Sequence, residues 1–342
     1  PRGRGRNVAV GQGVYYGRWM GECQIGTETV FDTAAATPSL LVCLDEPDVT
    51  PGIPAQTQDG TYGRGTSEQY STDTNPGVQS PLIRFAFQPN DLALSVVLRT
   101  LFQGGSTVTG AADPFTNTCI PYTDFNPATY KGFTFSKVVK AGVASGAHRF
   151  TGCVARSVTL SAERGGIVRA EVEALATRHS YESVATQTAV MTGSKRWMYW
   201  NTDIKDDGAS LVPPATKWSY TLHNGAEHDH ANQQTPYATL LGPLEISGMI
   251  GSSWRSTQGA TIWLSDWVAI AAPVTSQMQF LVGTGGQVTA GDFNLLGDIE
   301  WEEIKDRSEG QIVMVEATWK MRKVSLASTL IVKTATSPNT GS

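Results

Sequence analysis

Histidines and carboxylates crowd one stretch of the 342-residue chain, His223-x4-His228-x-His230, with Glu227 and Asp229 between them. Imidazole nitrogens and carboxylate oxygens are the donors that zinc and similar ions take. The HxxxxHxH spacing matches no established metal motif, and HNGAEHDHANQQ is polar enough to be a solvated loop. A local pH-sensitive patch is the other use of such histidines. Gly11-x-Gly13-x-x-x-Gly17 misses the dinucleotide spacing, and Gly283-Thr284-Gly285-Gly286 lacks the Lys-Ser/Thr of a phosphate loop. No GxSxG, HExxH or Cys/His nucleophile arrangement occurs. The paired carboxylates Glu171/Glu173 and Glu302/Glu303 read as exposed strand faces. Of nine tryptophans only Trp19 falls in the first half. The others suit either core and interface anchoring or a carbohydrate platform. The expectation is a protein without enzymatic activity, cofactor or metal.

The elements that position these residues are mostly strands. In Val154–Leu175 an alternating arm (Val154, Val158, Leu160) meets a charged turn, Glu163-Arg164-Gly165-Gly166, and a second alternating arm. On that arm Val168, Ala170, Val172 and Ala174 share one face, and Arg169, Glu171 and Glu173 the other. Period-two alternation marks a half-buried strand, and glycine supplies the positive φ of a tight turn. The pattern returns 145 residues later, where Gly310-x-Ile312-Val313-x-Val315-Glu316 echoes Gly165-x-Ile167-Val168-x-Ala170-Glu171. Met314 takes a polar-side position there, and the arm before the second turn matches only loosely.

A hydrophobic fraction of 40% supports packed cores, and a charged fraction of 17% suits a β-protein covered by copies of itself. The formal charge of −5 argues against a generally basic nucleic-acid binder. Cys23, Cys43, Cys119 and Cys153 have no CxxC spacing and are expected as free thiols. No apolar run approaches a membrane span, and no signal-peptide pattern is present. The initial Pro fits a cytoplasmically made chain that has lost its initiator Met.

In chain order, residues 1–7 form a Gly/Arg arm carrying Arg2, Arg4 and Arg6. The first domain spans 8–179. Within it Thr29–Phe31, Leu40–Leu44 and Pro81–Phe87 read as strands. Residues 45–80, with Tyr62, Tyr70 and Val78 as contact material, read as a long docking loop. Asn90 caps a helix whose face is Leu94, Val97, Leu98, Leu101 and Phe102, closed by Gly104-Gly105. Residues 180–193 read as a linker, 194–333 as a second domain with strands at 196–200, 218–222, 244–250, 260–272, 277–282 and 324–332, and 334–342 as a frayed tail.

Phe150–Arg178, with its GCVARSVTLSAERGGIVRAEVEALATR run, resembles the end of the tube domain in tail tube (major tail) proteins of long-tailed bacteriophages. The order of elements is similar too: basic segment, long loop between early strands, one helix, closing hairpin. The resemblance implies a mainly β chain of two tandem β-sandwich or barrel tube domains, the first with one packed amphipathic helix. Trimers of such a chain form pseudo-sixfold rings that stack into a tube in the virion tail. Genomic DNA passes through its lumen without specific binding, and other tail proteins cap the ends. Glu171, Glu173 and Glu316 become candidates for lumen charge, with Arg169 diluting that face. Arg2, Arg4, Arg6, Tyr62, Tyr70 and Val78 become candidates for contacts between subunits or rings. Two other classes remain: a trimeric capsid-decoration or receptor-binding β-protein, and a glycan-binding or hydrolytic β-sandwich.

Overall fold

The computed structural model describes residues 21–51, 55–57, 74–76, 79–109, 115–121, 130–141, 144–183, 197–206, 209–210, 215–230, 235–253, 276–282, 292–309, 312–323 and 330–334. Its first half begins with β1 (Gly21–Thr27), β2 (Ser39–Leu41) and β3 (Asp48–Thr50). Inside the expected loop, β4 (Ala55–Thr57) and β5 (Thr74–Pro76) pair with each other. Next come β6 (Leu82–Phe87), α1 (Asp91–Phe102), β7 (Gln103–Thr109), β8 (Phe115–Pro121) and β9 (Phe133–Ala141). Then follow the twenty-residue β10 (Ala144–Glu163), β11 (Arg169–Leu175) and β12 (Arg178–Ser183). The second half holds β13 (Thr202–Asp206), β14 (Ala209–Ser210), β15 (Ala215–His223), β16 (Glu227–Asp229), β17 (Ala238–Leu240) and β18 (Glu245–Ser253). It ends with β19 (Ser276–Val282), β20 (Phe293–Glu309), β21 (Ile312–Lys323) and β22 (Leu330–Thr334). The fold is mainly β and antiparallel, as the sequence pattern implies. No helix among the described residues is long and apolar enough to cross a membrane.

The hairpin that the alternation marks is β10–β11, with Val158 opposite Val172 and Leu160 opposite Ala170. Gly165 takes φ +81 at the turn. Val168, Ala170 and Ala174 are fully buried, so the expected core face is the observed one. β10 serves two layers. Its first part pairs with β9 on one edge and β12 on the other; its second part pairs with β11 and β15. The transition falls at Gly152, which takes φ +61 beside a register shift between Phe150 and Cys153.

The large sheet continues β3–β6–β11–β10–β15–β18–β21–β20, crossing from the first half to the second at β10–β15. A large apolar core lies against it, joining Phe85, Leu160, Tyr220 and Trp319. Trp197 and Phe293 pack at 5.1 Å between ring centroids, and Phe85 and Phe135 at 4.9 Å. Asn224 Nδ2 donates to Leu101 O (3.0 Å) and Ala155 O (2.8 Å), tying the second half to the helix end and to β10.

The hairpin β20–β21 repeats β10–β11 in detail. Ser161 faces Arg169, and Arg307 faces Met314, so the second strands lie 145 residues apart and the first strands 146. Both first strands bulge at the equivalent place: Arg156 is skipped between Ala155 and Ser157, and Glu302 between Trp301 and Glu303. A turn shortened by one residue accounts for the loose sequence match of the arm before it.

Helix α1 starts as expected, with the Asn90 side chain accepting from Ala93 N at 2.9 Å. Its end differs. The left-handed residue is Gln103 (φ +51), not Gly104 or Gly105. The Gln103 amide exchanges hydrogen bonds with the Lys131 backbone (2.6 and 2.8 Å), and those bonds offset the steric cost of positive φ. Three further expectations change. Thr29–Phe31 lies in a bend and turn that Asp32 N closes by donating to the Glu28 carboxylate at 2.8 Å. In 196–200 the described residues are no continuous strand: Tyr199–Asn201 forms a 3-10 turn closed by Thr202 Oγ1 donating to Tyr199 O at 2.6 Å. Ser180–Ser183, placed in the linker, belong to β12. The segments 8–20, 184–196, 260–272 and 335–342 lie outside the described residues.

Replacing both Val168 and Val172 with Asp buries two unpaired carboxylates in the core face. At roughly 2–7 kcal/mol for each unpaired polar group, the cost is comparable with a typical domain stability of about 5–15 kcal/mol, so the double variant is expected to lose its β-type circular dichroism.

Candidate functional site

The candidate site is the other face of the large sheet. Opposite the core side chains, largely polar rows cross the sheet and end on β6 at Ala86, which is buried. One row runs Ala86–Glu171–Thr159–Thr221–Ser247–Lys320–Glu300, and the Thr159 and Thr221 hydroxyls meet at 2.9 Å. Another runs Lys217–Gly251–Glu316–Lys305. Each described basic side chain on these strands faces a carboxylate. Arg84 and Arg156 converge on Glu173 at 2.8 and 3.4 Å. Arg169 bridges Glu171 (2.7 Å) and Asp45 (2.6 Å). Lys217 pairs with Glu316, Lys305 with Glu303 at 2.7 Å, and Lys320 with Glu245 at 3.8 Å.

The Lys217–Glu316 contact depends on a glycine. Lys217 lies across Gly251, where a Cβ would meet the lysine Cγ at 2.8 Å and Cε at 2.9 Å. Any larger residue at 251 displaces the ammonium. Segment 45–48 folds over the other end of this face and encloses a groove of about 390 Å³ with Arg84, Arg169, Glu171 and Glu173.

The three glutamates expected to share a polar face therefore do so, but none is an isolated charge. The Glu171 side chain is 56% exposed, against 23% for Glu173 and 21% for Glu316, and all three are ion-paired. Met314 shares their phase yet is buried. Arg2, Arg4, Arg6, Tyr62, Tyr70 and Val78 lie outside the described residues. Sequence reasoning missed Lys217, Lys320, Glu245 and Gly251. Alternation in Lys217-x-Ser219-x-Thr221-x-His223 was the signal that could have placed the first of them.

The histidine stretch divides. His223 ends β15, its Nδ1 accepting from Gly225 N at 3.3 Å. His228 and His230 sit on or just after β16 with ring centroids 5.7 Å apart, and burial holds His228 below the usual imidazole value. Among the described residues no three His, Cys, Asp or Glu side chains converge as a metal site requires. The four cysteines are unbridged. Burial pushes Cys119 up to about 12, and the half-buried Cys23 thiol is lowered first by a hydrogen bond from Cys43.

A second charged site was not visible in the sequence. Glu28, only 3% exposed, accepts from Thr134 Oγ1 (2.9 Å), Gly152 N (2.9 Å) and Asp32 N (2.8 Å). Gly132 makes room for it, since a Cβ there would lie 2.4 Å from Glu28 Oε2. Burial outweighs these bonds and raises the carboxyl to about 7. Because the folded value lies above the ordinary 4.5, the contribution is complete below that pH and is lost as pH rises through about 7. At about 1.4 kcal/mol per pH unit, a loss on the order of 3 kcal/mol is expected across that window. Denaturant titrations between these pH values should show the slope, and Glu28→Gln should flatten it.

A family model described as "Phage tail tube protein" matches residues 22–321. No curated protein shows significant similarity to the chain. The match spans both hairpins, the helix and the whole polar face described above, and on its extent the chain belongs to the phage tail tube protein family.

Proposed function

We propose that this structural tail protein assembles into stacked rings whose polar sheet faces line the channel for DNA. The carrying observation is that face: a largely polar surface crossing from the first half to the second, with each described basic side chain on its strands paired with a carboxylate. DNA affinity grows with every phosphate that Lys or Arg neutralises, because condensed counterions are released. A lining whose ammonium and guanidinium groups are already engaged gives phosphates little to exchange with. Glu171, Glu173 and Glu316 then act less as bare negative charge than as partners that occupy Arg169, Arg84, Arg156 and Lys217.

The repeated hairpins, with their matching bulges, support two tandem tube units, the first from residue 8 through the end of β12 at Ser183 and the second over 194–333. A pseudo-sixfold ring then needs three chains. The arm bearing Arg2, Arg4 and Arg6 and the loop positions Tyr62, Tyr70 and Val78 are assigned, on composition, to contacts between subunits or rings. Other tail proteins cap the tube. The chain performs no catalysis, inserts in no membrane, is made in the host cytoplasm and ends in the virion tail.

Negative-stain microscopy of concentrated protein is expected to show hollow tubes of uniform width; isolated particles alone would favour capsid decoration or receptor binding. In assembled tubes Glu173→Gln releases Arg84 and Arg156. The variant should retain duplex DNA more strongly than wild type at low salt and lose it more steeply as salt rises.

A further inference from the structure

Two strand edges of the large sheet carry no partner among the described residues: the outer edge of β3 and the β20 edge over 303–309. The repeat says what fits between them. β10 and β20 are equivalent, and at the edge where β10 receives β15, β20 receives nothing over these residues. Within each repeat the strand beside β11 is β6 and the strand beside β21 is β18. The strand beyond β6 is β3 and the strand beyond β18 is β15. β3 is thus the first-half counterpart of β15, and burial agrees. Val49 packs against the core, as its counterpart Tyr220 does, while Asp48 and Thr50 are exposed at the positions of Ser219 and Thr221.

The geometry points to the β10–β15 junction as the template for a junction between molecules, in which β3 of a second copy pairs antiparallel with β20. This inference rests on the tube-assembly reading and adds its register. Asn224 N donates to Arg156 O (3.0 Å), and Arg164 N to Thr216 O (2.8 Å). The hydrogen-bonded pairs between them are therefore Val158/Leu222, Leu160/Tyr220 and Ala162/Trp218. Carried across the repeat, they become Ile304/Pro51, Asp306/Val49 and Ser308/Pro47, with Lys305 opposite Thr50 and Arg307 opposite Asp48. The β3 edge offers the carbonyls of Pro51 and Val49, together with that of Pro47, which already accepts from Lys137 Nζ at 3.0 Å, and it donates only from Val49, because proline has no N–H. β20 supplies the three complementary N–H groups. A second β3 cannot, so two copies of that edge do not satisfy each other.

Lys305 and Thr50 form a non-hydrogen-bonded pair, whose short Cα separation suits a disulfide. The test is the full-length Lys305→Cys/Thr50→Cys chain, assembled, oxidised and run on non-reducing gels beside each single variant. The same samples are imaged by electron microscopy. A ladder of covalent multimers from this pair, absent from the single variants and from Lys305→Cys/Asp48→Cys, is expected. Tubes in which the shifted pair cross-links instead, or neither does, would overturn the register and leave the tube reading standing. Absence of any assembly from the wild-type chain would overturn both.

Discussion

A sheet can bury one face only if the alternate residues of every strand keep a common phase across each ladder; a slip of one residue would expose the core and bury charge. In this protein that constraint converges on β10. Four strands read their register from it, two along each part of its length. Its bulges and the positive φ of Gly152 let one strand serve both layers. Because β15 takes its phase from β10 as well, the alternation established in the first half is transmitted to the second.

The polar face follows from the same phase. Once Val158, Leu222 and Ala317 are committed to the core, the intervening residues must all point the other way, whatever their charge. Thr and Ser fill much of that surface. The charges that remain are arranged as opposite-sign neighbours, on adjacent strands for Arg84–Glu173 and Lys320–Glu245, along one strand for Arg169–Glu171 and Lys305–Glu303, and across Gly251 for Lys217–Glu316. Individually such exposed pairs contribute little to stability.

Much of this was legible in the sequence, wherever local pattern and tertiary environment agree. The β10–β11 hairpin and the Asn90-capped helix are examples, since alternation and an i, i+3, i+4 stripe are direct imprints of burial. Legibility fails where a distant partner decides. Gln103 is left-handed because of the Lys131 backbone, Thr29–Phe31 turns around a Glu28 carboxylate that is buried by accepting from Asp32 and from the distant Thr134 and Gly152, and Trp197–Trp200 is aromatic enough for a strand but turns at Tyr199. The three glutamates share the polar face that alternation gives them, whereas two of their cationic partners, Arg84 and Lys217, come from strands far away in sequence. Alternation gives a residue's side of the sheet but not its neighbour across it.

The β10–β15 ladder has one more consequence. Its two strands belong to a single polypeptide, so their encounter takes place at the high effective concentration of a tether, whereas a ladder between separate chains weakens as protein is diluted. A tube built from such chains therefore has alternating joints of unequal resilience around each ring. On dilution it should come apart at every second joint, shedding paired units rather than single ones.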